Sequence, residues 1–477
     1  MSDSDLAYTG ASEALRMFRS GQLSPVELLE AQLSRIAASA GSLNAVCFTY
    51  ADEAMEKARR AEARYAARAS DLGPLEGIMT ALKDENMMAG KITTYGSVLY
   101  AEHVASTNAP VVQRLLDAGA IVHARTTTPE FSCAPFCHSR QWGITRNPWN
   151  ADFTPGGSSG GSGVALAAGL TTLATGSDIG GSIRIPASAC GVVGFKPPYG
   201  RVPSTPPFNL DHYNHPGPMA RTVEDCLLMQ NVLAGPHPQD IASLKPKLEL
   251  SADRRGVQGW KIAYSLDFGF MEVDPDVRAN TLRAVDVFRS LGAEVVEVEL
   301  PWSWDVYHAA ATHHATLFGA WLAEYLDDRQ SSLTTYAADF ARKSLSVTTR
   351  DYLKSLDVEG RIYGHFGPLM EEYDLFLCPT LAVPAVKADF EMRDPLLING
   401  KPIDPYLGWT MAWPFNMLSR CPVLALPSGH AATGVPTGIQ LVGRTYDDQA
   451  VFRAGFAYES AVGGWFAAPE TRPTLPF

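Results

Sequence analysis

Three serines and one lysine carry the chemistry this sequence offers. Ser158 and Ser159 lie in a loop framed by glycines, residues 156–161 reading GGSSGG, and Ser182 lies in a second, residues 178–184 reading DIGGSIR. Glycines reach backbone conformations closed to other residues and let a chain approach a ligand closely. In the second loop the successive N–H groups before and at Ser182 can form a nest for a developing oxyanion. An acyl-transfer enzyme needs that cradle with a nucleophile beneath it, and Ser182 is placed to be the nucleophile. A serine hydroxyl is weak without a base. None of the eleven histidines is singled out by its neighbours. Lys83, in ALKDEN directly after an apolar segment, becomes a base near neutrality if the fold takes it out of water. Taken alone it is more often a surface lysine at a strand end. The residues by themselves end at a serine nucleophile whose base is open.

Other chemistries fit these loops poorly. A flexible linker would not run straight into the apolar segment that follows residue 161. A phosphate loop needs GxxxxGK followed by Ser or Thr, and neither loop has the lysine. No GxSxG occurs, which disfavours an α/β-hydrolase triad. Cys133, Cys137 and His138 stand together, but no second Cys/His pair follows at zinc spacing and there is no HExxH, so no metal is expected.

Alternating elements must position these loops. Ser24-Pro25 followed by VELLEAQLSRIAAS reads as a capped helix with proline in its first turn. Residues 51–69 read as an exposed helix and 108–119 as a helix ended by glycine. Residues 75–82, leading into Lys83, and 121–124 read as short buried strands. Residues 222–233 read as a helix opened by TVED, a capping-box pattern. Residues 256–300 read as strand, helix, strand, and 305–373 as mostly helical. Strands are expected at 375–379, 421–426 and 437–442, with a last helix near 447–461. Such alternation predicts an α/β class, and no linker or repeat divides the chain.

Composition narrows the partners. The 477 residues carry 39 Lys and Arg against 51 Asp and Glu, a net charge of −12. An acidic chain without a basic patch is a poor binder of nucleic acid. The opening MSDSDLAYTG lacks a basic n-region and an apolar h-region, so no secretory signal is expected. The apolar run at 164–170 falls far short of the about 20 residues that span a bilayer. Seven dispersed cysteines do not form a secreted disulfide framework. These features predict a soluble cytoplasmic protein with no membrane contact.

The run GGSSGGSGVALAAGLTTLATGSDIGGSIRIPASACGVVGFKPPYGRV closely resembles the defining segment of the amidase signature family. GIMTALKDEN and ITRNPWN upstream, and GPMARTVEDC, LFLCPT and WPFNMLSRCPVLALPSGH downstream, resemble further landmarks, so the likeness covers roughly residues 10–465. It implies a Ser–cis-Ser–Lys triad: Ser182 as nucleophile, Ser158 as bridge after a cis Gly157–Ser158 bond, and Lys83 as base. Ser158 and Ser182 stand 24 residues apart, and Lys83 and Ser158 stand 75 apart, as the family leads one to expect. By the same resemblance the N–H groups of Ile179, Gly180, Gly181 and Ser182 bind the oxyanion, and Ser159, Asp178 and Arg184 support the loop. Ser132, Cys133 and Ser177 are expected at the substrate. The implied fold is a single α/β/α domain over residues 1–477, a large mixed sheet between helices. Its N-terminal helical segment is expected at about 10–70 and its Gly/Ser-rich core at about 147–200. No cofactor or metal is implied; homodimers are frequent among relatives.

The expected reaction is hydrolysis of an amide-type C–N bond in a small amide, anilide or carbamate, with esterase or urethanase side activity. Pocket residues are sought at 132–141, at 203–215 and at 409–415. A glutamine-hydrolysing amidotransferase subunit is disfavoured, because Ile185 replaces the glutamine of GGSIRQP. A non-catalytic subunit that kept the fold is the remaining rival, and the intact Lys83, Ser158 and Ser182 argue against it.

Overall fold

The computed structural model describes residues 3–475; residues 1–2 and 476–477, at the ends of the expected domain, lie outside the described residues. An eleven-stranded sheet forms its centre. In chain order the strands are β1 (Val46–Thr49), β2 (Met79–Lys83), β3 (Ile121–Thr126), β4 (Leu173–Asp178), β5 (Val193–Lys196), β6 (His215–Ala220), β7 (Lys261–Tyr264), β8 (Glu294–Glu297), β9 (Leu375–Pro379), β10 (Val423–His430) and β11 (Pro436–Val442). They lie side by side as β1-β3-β2-β4-β6-β5-β10-β11-β9-β7-β8. β3, β2 and β4 run parallel, as do β9, β7 and β8, and the strands between pair antiparallel.

Successive strand residues point to opposite faces, and both faces of this sheet are covered. In β9, Leu375 and Leu377 pack into one apolar cluster while Phe376 and Cys378 pack into another. Leu424 of β10 joins the first cluster and Val423 the second. This is the mixed sheet between helices that the family resemblance implied, and it agrees with the α/β class read from the alternation. All five residues of β2 and all six of β3 are buried, as parallel strands with both faces covered must be. Lys83 is the last residue of β2, carried into the interior by that burial.

Local sequence accounts for the helix ends. Ser24 accepts from the N–H groups of Val26 and Glu27, and Glu27 accepts from the N–H of Ser24, with Pro25 in the first turn. Thr222 caps helix Val223–Leu233 by accepting from Asp225 N–H. The Asp225 carboxylate does not complete the box. It accepts instead from the N–H groups of Ala11 and Ser12, which open the helix Ala11–Ser20. No helix among the described residues is long and apolar enough to cross a membrane.

Between the two Gly/Ser loops runs Gly160–Ala167, a helix whose every residue is buried. Its small side chains bring backbones together. A Cβ on Gly157 would lie 2.2 Å from the carbonyl oxygen of Phe136, so only glycine fits there. The Gly157–Ser158 peptide bond is cis.

Candidate active site

Ser158, Ser177 and Ser182 line one cavity of about 430 Å³, and Lys83 lies behind the first two, in contact with both. Lys83 is fully buried. Its Nζ lies 2.6 Å from Ser158 Oγ, 2.8 Å from Ser177 Oγ and 3.1 Å from Glu85 Oε2. Its backbone N–H donates to Thr175 Oγ1 of β4 at 2.9 Å, which holds the end of β2 against β4. Burial pulls the Lys83 amine below its ordinary proton affinity, and the Glu85 carboxylate is the main force opposing it. Burial pushes Glu85 up, but Lys83 and the hydroxyls of Ser132 and Ser177 outweigh it, so the carboxyl sits below its ordinary value.

Ser182 is half-buried and lines the cavity. No hydrogen bond joins its hydroxyl to Ser158 Oγ among the described residues. The loops are instead stitched by backbone: the N–H of Ser159 donates to the carbonyl of Ser182 at 3.2 Å. The Ser159 hydroxyl accepts from the Ser177 N–H at 3.4 Å.

Arg184 holds the second loop from below. It is fully buried, and its five N–H donors all find acceptors. Nε and one Nη meet Asp178 at 2.9 and 2.8 Å; the others reach Asn416 Oδ1, the Ala412 carbonyl and Gln440 Oε1 at 2.6–2.7 Å. Burial raises the Asp178 carboxyl, but Arg184 and Asn416 outweigh it and hold the group well below the carboxylate range. Asp178 also accepts from the Gly181 N–H at 2.8 Å. Of the four N–H groups assigned to the oxyanion, Gly181's is therefore engaged by Asp178. Those of Ile179, Gly180 and Ser182 carry no hydrogen bond among the described residues. Gly181 has φ +119°, a conformation that disfavours any side chain.

Aromatic rings form part of the cavity wall. Phe131, Phe208, Phe318 and Trp321 line it, with Trp321 at 5.3, 5.5 and 5.7 Å between ring centroids from the other three. Ser132 and Cys133 are at the wall as well. Ser132 Oγ donates to Glu85 Oε2 at 2.6 Å, and the Cys133 thiol donates to the Glu130 carbonyl at 3.1 Å. Phe131 and Ser132 both have positive φ, 51° and 58°, an uncommon backbone for such residues that aims them at the cavity. Segment 203–208 and Asn214 contribute as expected. Residues 409–415 do not: Trp409, Met411 and Trp413 are fully buried and belong to the core, because this segment is held against the chain just past β9, where Met411 N–H donates to the Thr380 carbonyl.

Two residues of the site carried no sequence signal of their own. Glu85 was one letter of ALKDEN, and only its contact with Lys83 sets it apart. His314 is one of an adjacent pair that the fold separates. His313 stacks on Tyr213 at 3.6 Å and meets Asp211 at 2.8 Å, whereas His314 lines the cavity and donates from Nε2 to the Ile179 carbonyl at 3.0 Å.

A buried lysine against a serine, beside a second serine under backbone N–H groups, is the equipment of a serine-based acyl-transfer enzyme. The amidase family model matches residues 27–452, and the chain belongs to the amidase signature family. It is 32% identical to an acylamidase of Rhodococcus erythropolis, over 98% of this chain and 98% of that protein. It is 34% identical to a glutamyl-tRNA(Gln) amidotransferase subunit of Geobacter metallireducens, over 92% of this chain and 94% of that protein. Among solved structures it is similar to a bacterial aryl acylamidase, with TM-score 0.89 and 29% identity over 96% of this chain and 97% of that one.

Proposed function

We propose that this amidase signature hydrolase cleaves aryl amides, anilides and carbamates through an acyl-enzyme on Ser182, with Ser158 as bridge and Lys83 as base. The observation that carries this reading is the dehydrated Lys83 amine 2.6 Å from Ser158 Oγ, behind the cavity that Ser182 lines.

A neutral amine has two N–H donors and one lone pair. Three polar atoms surround Lys83 Nζ, so its N–H groups donate to Ser177 and Glu85 while the lone pair faces the Ser158 hydroxyl. Substrate binding turns the unbonded Ser182 hydroxyl onto Ser158, since such contacts often tighten only in the bound complex. Ser182 Oγ attacks the carbonyl carbon and passes its proton to Ser158, whose own proton goes to Lys83. The carbonyl electrons move onto oxygen, held by the N–H groups of Ile179, Gly180 and Ser182, with Gly181 shaping the loop through Asp178. The relay runs back to protonate the leaving nitrogen, the C–N bond breaks, and water releases the acyl group by the same steps. The ring-lined cavity suits a flat aromatic group on either side of the bond.

The test is a turnover screen of aliphatic amides, anilides, carbamates and glutamine with Ser182→Ala as control. Anilides and carbamates are expected to lead. Similarity to amidotransferase subunits favours a second reading, an ammonia-supplying subunit; glutamine turnover that appears only with a co-purified partner would establish it instead.

A further inference from the structure

Beyond the triad, the cavity floor holds a carboxylate in contact with the amine. The chain turns sharply after β2, with the N–H groups of Glu85 and Asn86 both bonded to the Lys83 carbonyl at 2.7 and 3.0 Å. That turn folds Glu85 back so that its Oε2 meets Lys83 Nζ at 3.1 Å. The same oxygen accepts from Ser132 Oγ at 2.6 Å, and Ser132 is itself set by a left-handed backbone. Glu85 is thus gripped from a second segment of the chain and cannot swing to solvent without breaking that bond.

We propose that Glu85 is a fourth member of the proton relay, a positioning residue that orients the Lys83 amine toward Ser158 and stabilises the ammonium formed when Ser158 gives up its proton. The inference rests on the reading of Lys83 as base. The proton passes from Ser182 Oγ to Ser158 Oγ and from Ser158 to Lys83 Nζ; Glu85 stays ionised and exchanges none. An ion pair therefore exists only once the proton has arrived, so the carboxylate favours the transition state over the resting state. The carboxylate behind the histidine of a Ser-His-Asp triad does the same for an imidazolium.

The other charged and titratable groups near the pair leave this task to Glu85. Lys83 also feels Cys137 and Asp178. Burial keeps the Cys137 thiol above its ordinary value, and Asp178 is committed to Arg184. Glu85 faces Tyr95, whose phenol burial raises to about 12. Asp84 and Arg125 lie at 3.6 Å from each other as a buried pair.

Glu85→Gln keeps the shape and an acceptor for Ser132 while deleting the charge. The acid limb of kcat/KM reports the free base, and an opposite charge at contact shifts a proton affinity by about 1–3 units. The limb is therefore expected to move to lower pH by about one unit or more in Glu85→Gln, with a plateau lowered on the order of tenfold; Glu85→Asp should fall between this and wild type. An acid limb that stays in place in Glu85→Asp and Glu85→Gln, or moves to higher pH, overturns the proposal even if the plateau falls. Should Glu85→Gln fail to fold by thermal melt, Glu85→Asp decides by the same limb. Full turnover by Lys83→Ala would sink the base reading itself, and it is scored separately.

Discussion

His314 donates from Nε2 to the carbonyl of Ile179 across 3.0 Å. The Ile179–Gly180 peptide is not among the cis bonds, so its N–H points opposite to that carbonyl. Anchoring the one aims the other, and the aimed group is an N–H assigned to the oxyanion. His314→Ala is expected to lower kcat on the order of tenfold with little change in KM, a fraction of the about 10²–10³ that loss of a whole oxyanion donor costs. His314→Gln, which keeps an N–H donor, should recover much of the rate. An effect confined to KM would reject the link. Burial lowers the ring's proton affinity to about 4, so His314 stays neutral in assays near neutrality and adds no pH limb there.

The triad reading makes a labelling prediction. A fluorophosphonate should tag the wild-type protein and leave Ser182→Ala untouched. Lys83→Ala, which removes a general base, is expected to slow both labelling and turnover by about 10²–10⁴. Labelling of Ser182→Ala at wild-type rate would place the nucleophile elsewhere.

Trp321 packs against Phe131, Phe208 and Phe318 in the cavity wall. Aromatic pairs are worth about 0.5–1.5 kcal/mol beyond the area they bury. Trp321→Ala should raise KM for an anilide by about 3–10-fold and leave a short aliphatic amide nearly unaffected. Equal losses on both substrates, measured side by side, would mean that the ring supports the wall without contacting the aryl group.

Stability should depend on pH through Glu459, on the helix Asp448–Val462. Burial raises its carboxyl to about 7, with the neighbouring Asp225 adding to the rise, although the Val223 N–H donates to it at 2.9 Å. A carboxyl that holds its proton more tightly when folded contributes stability below its unfolded value near 4.5, and that contribution is lost as pH rises through about 7. Glu459→Gln keeps an acceptor for Val223 and removes the titration. Its melting temperature should gain on wild type as pH rises from about 4.5 to about 7 and hold that gain above. A gap that does not change with pH would exclude Glu459 as the cause.

Much that is local or contiguous was legible in the sequence. The caps of Ser24 and Thr222 and the strand leading into Lys83 follow from short-range rules of hydrogen bonding, backbone freedom and burial. The Gly/Ser loop that carries Ser182 lies within seven consecutive residues, 178–184, and so could be picked out without a fold. The rest came from the packing of distant segments. The ring cluster around Trp321 draws on residues from 131 to 321, and nothing at Trp321 distinguishes it from Trp409, which is equally aromatic and ends in the core. His313 and His314 are adjacent and alike in sequence, yet one stacks on Tyr213 and the other reaches the oxyanion loop, because neighbours on a helix point about 100° apart. Asp225 matched a capping box and capped a different helix, since two unpaired N–H groups at residues 11 and 12 were brought within its reach. Side-chain type and spacing state which groups are able to react; long-range packing selects which of them share a cavity, and only there do their proton affinities and directions acquire a function.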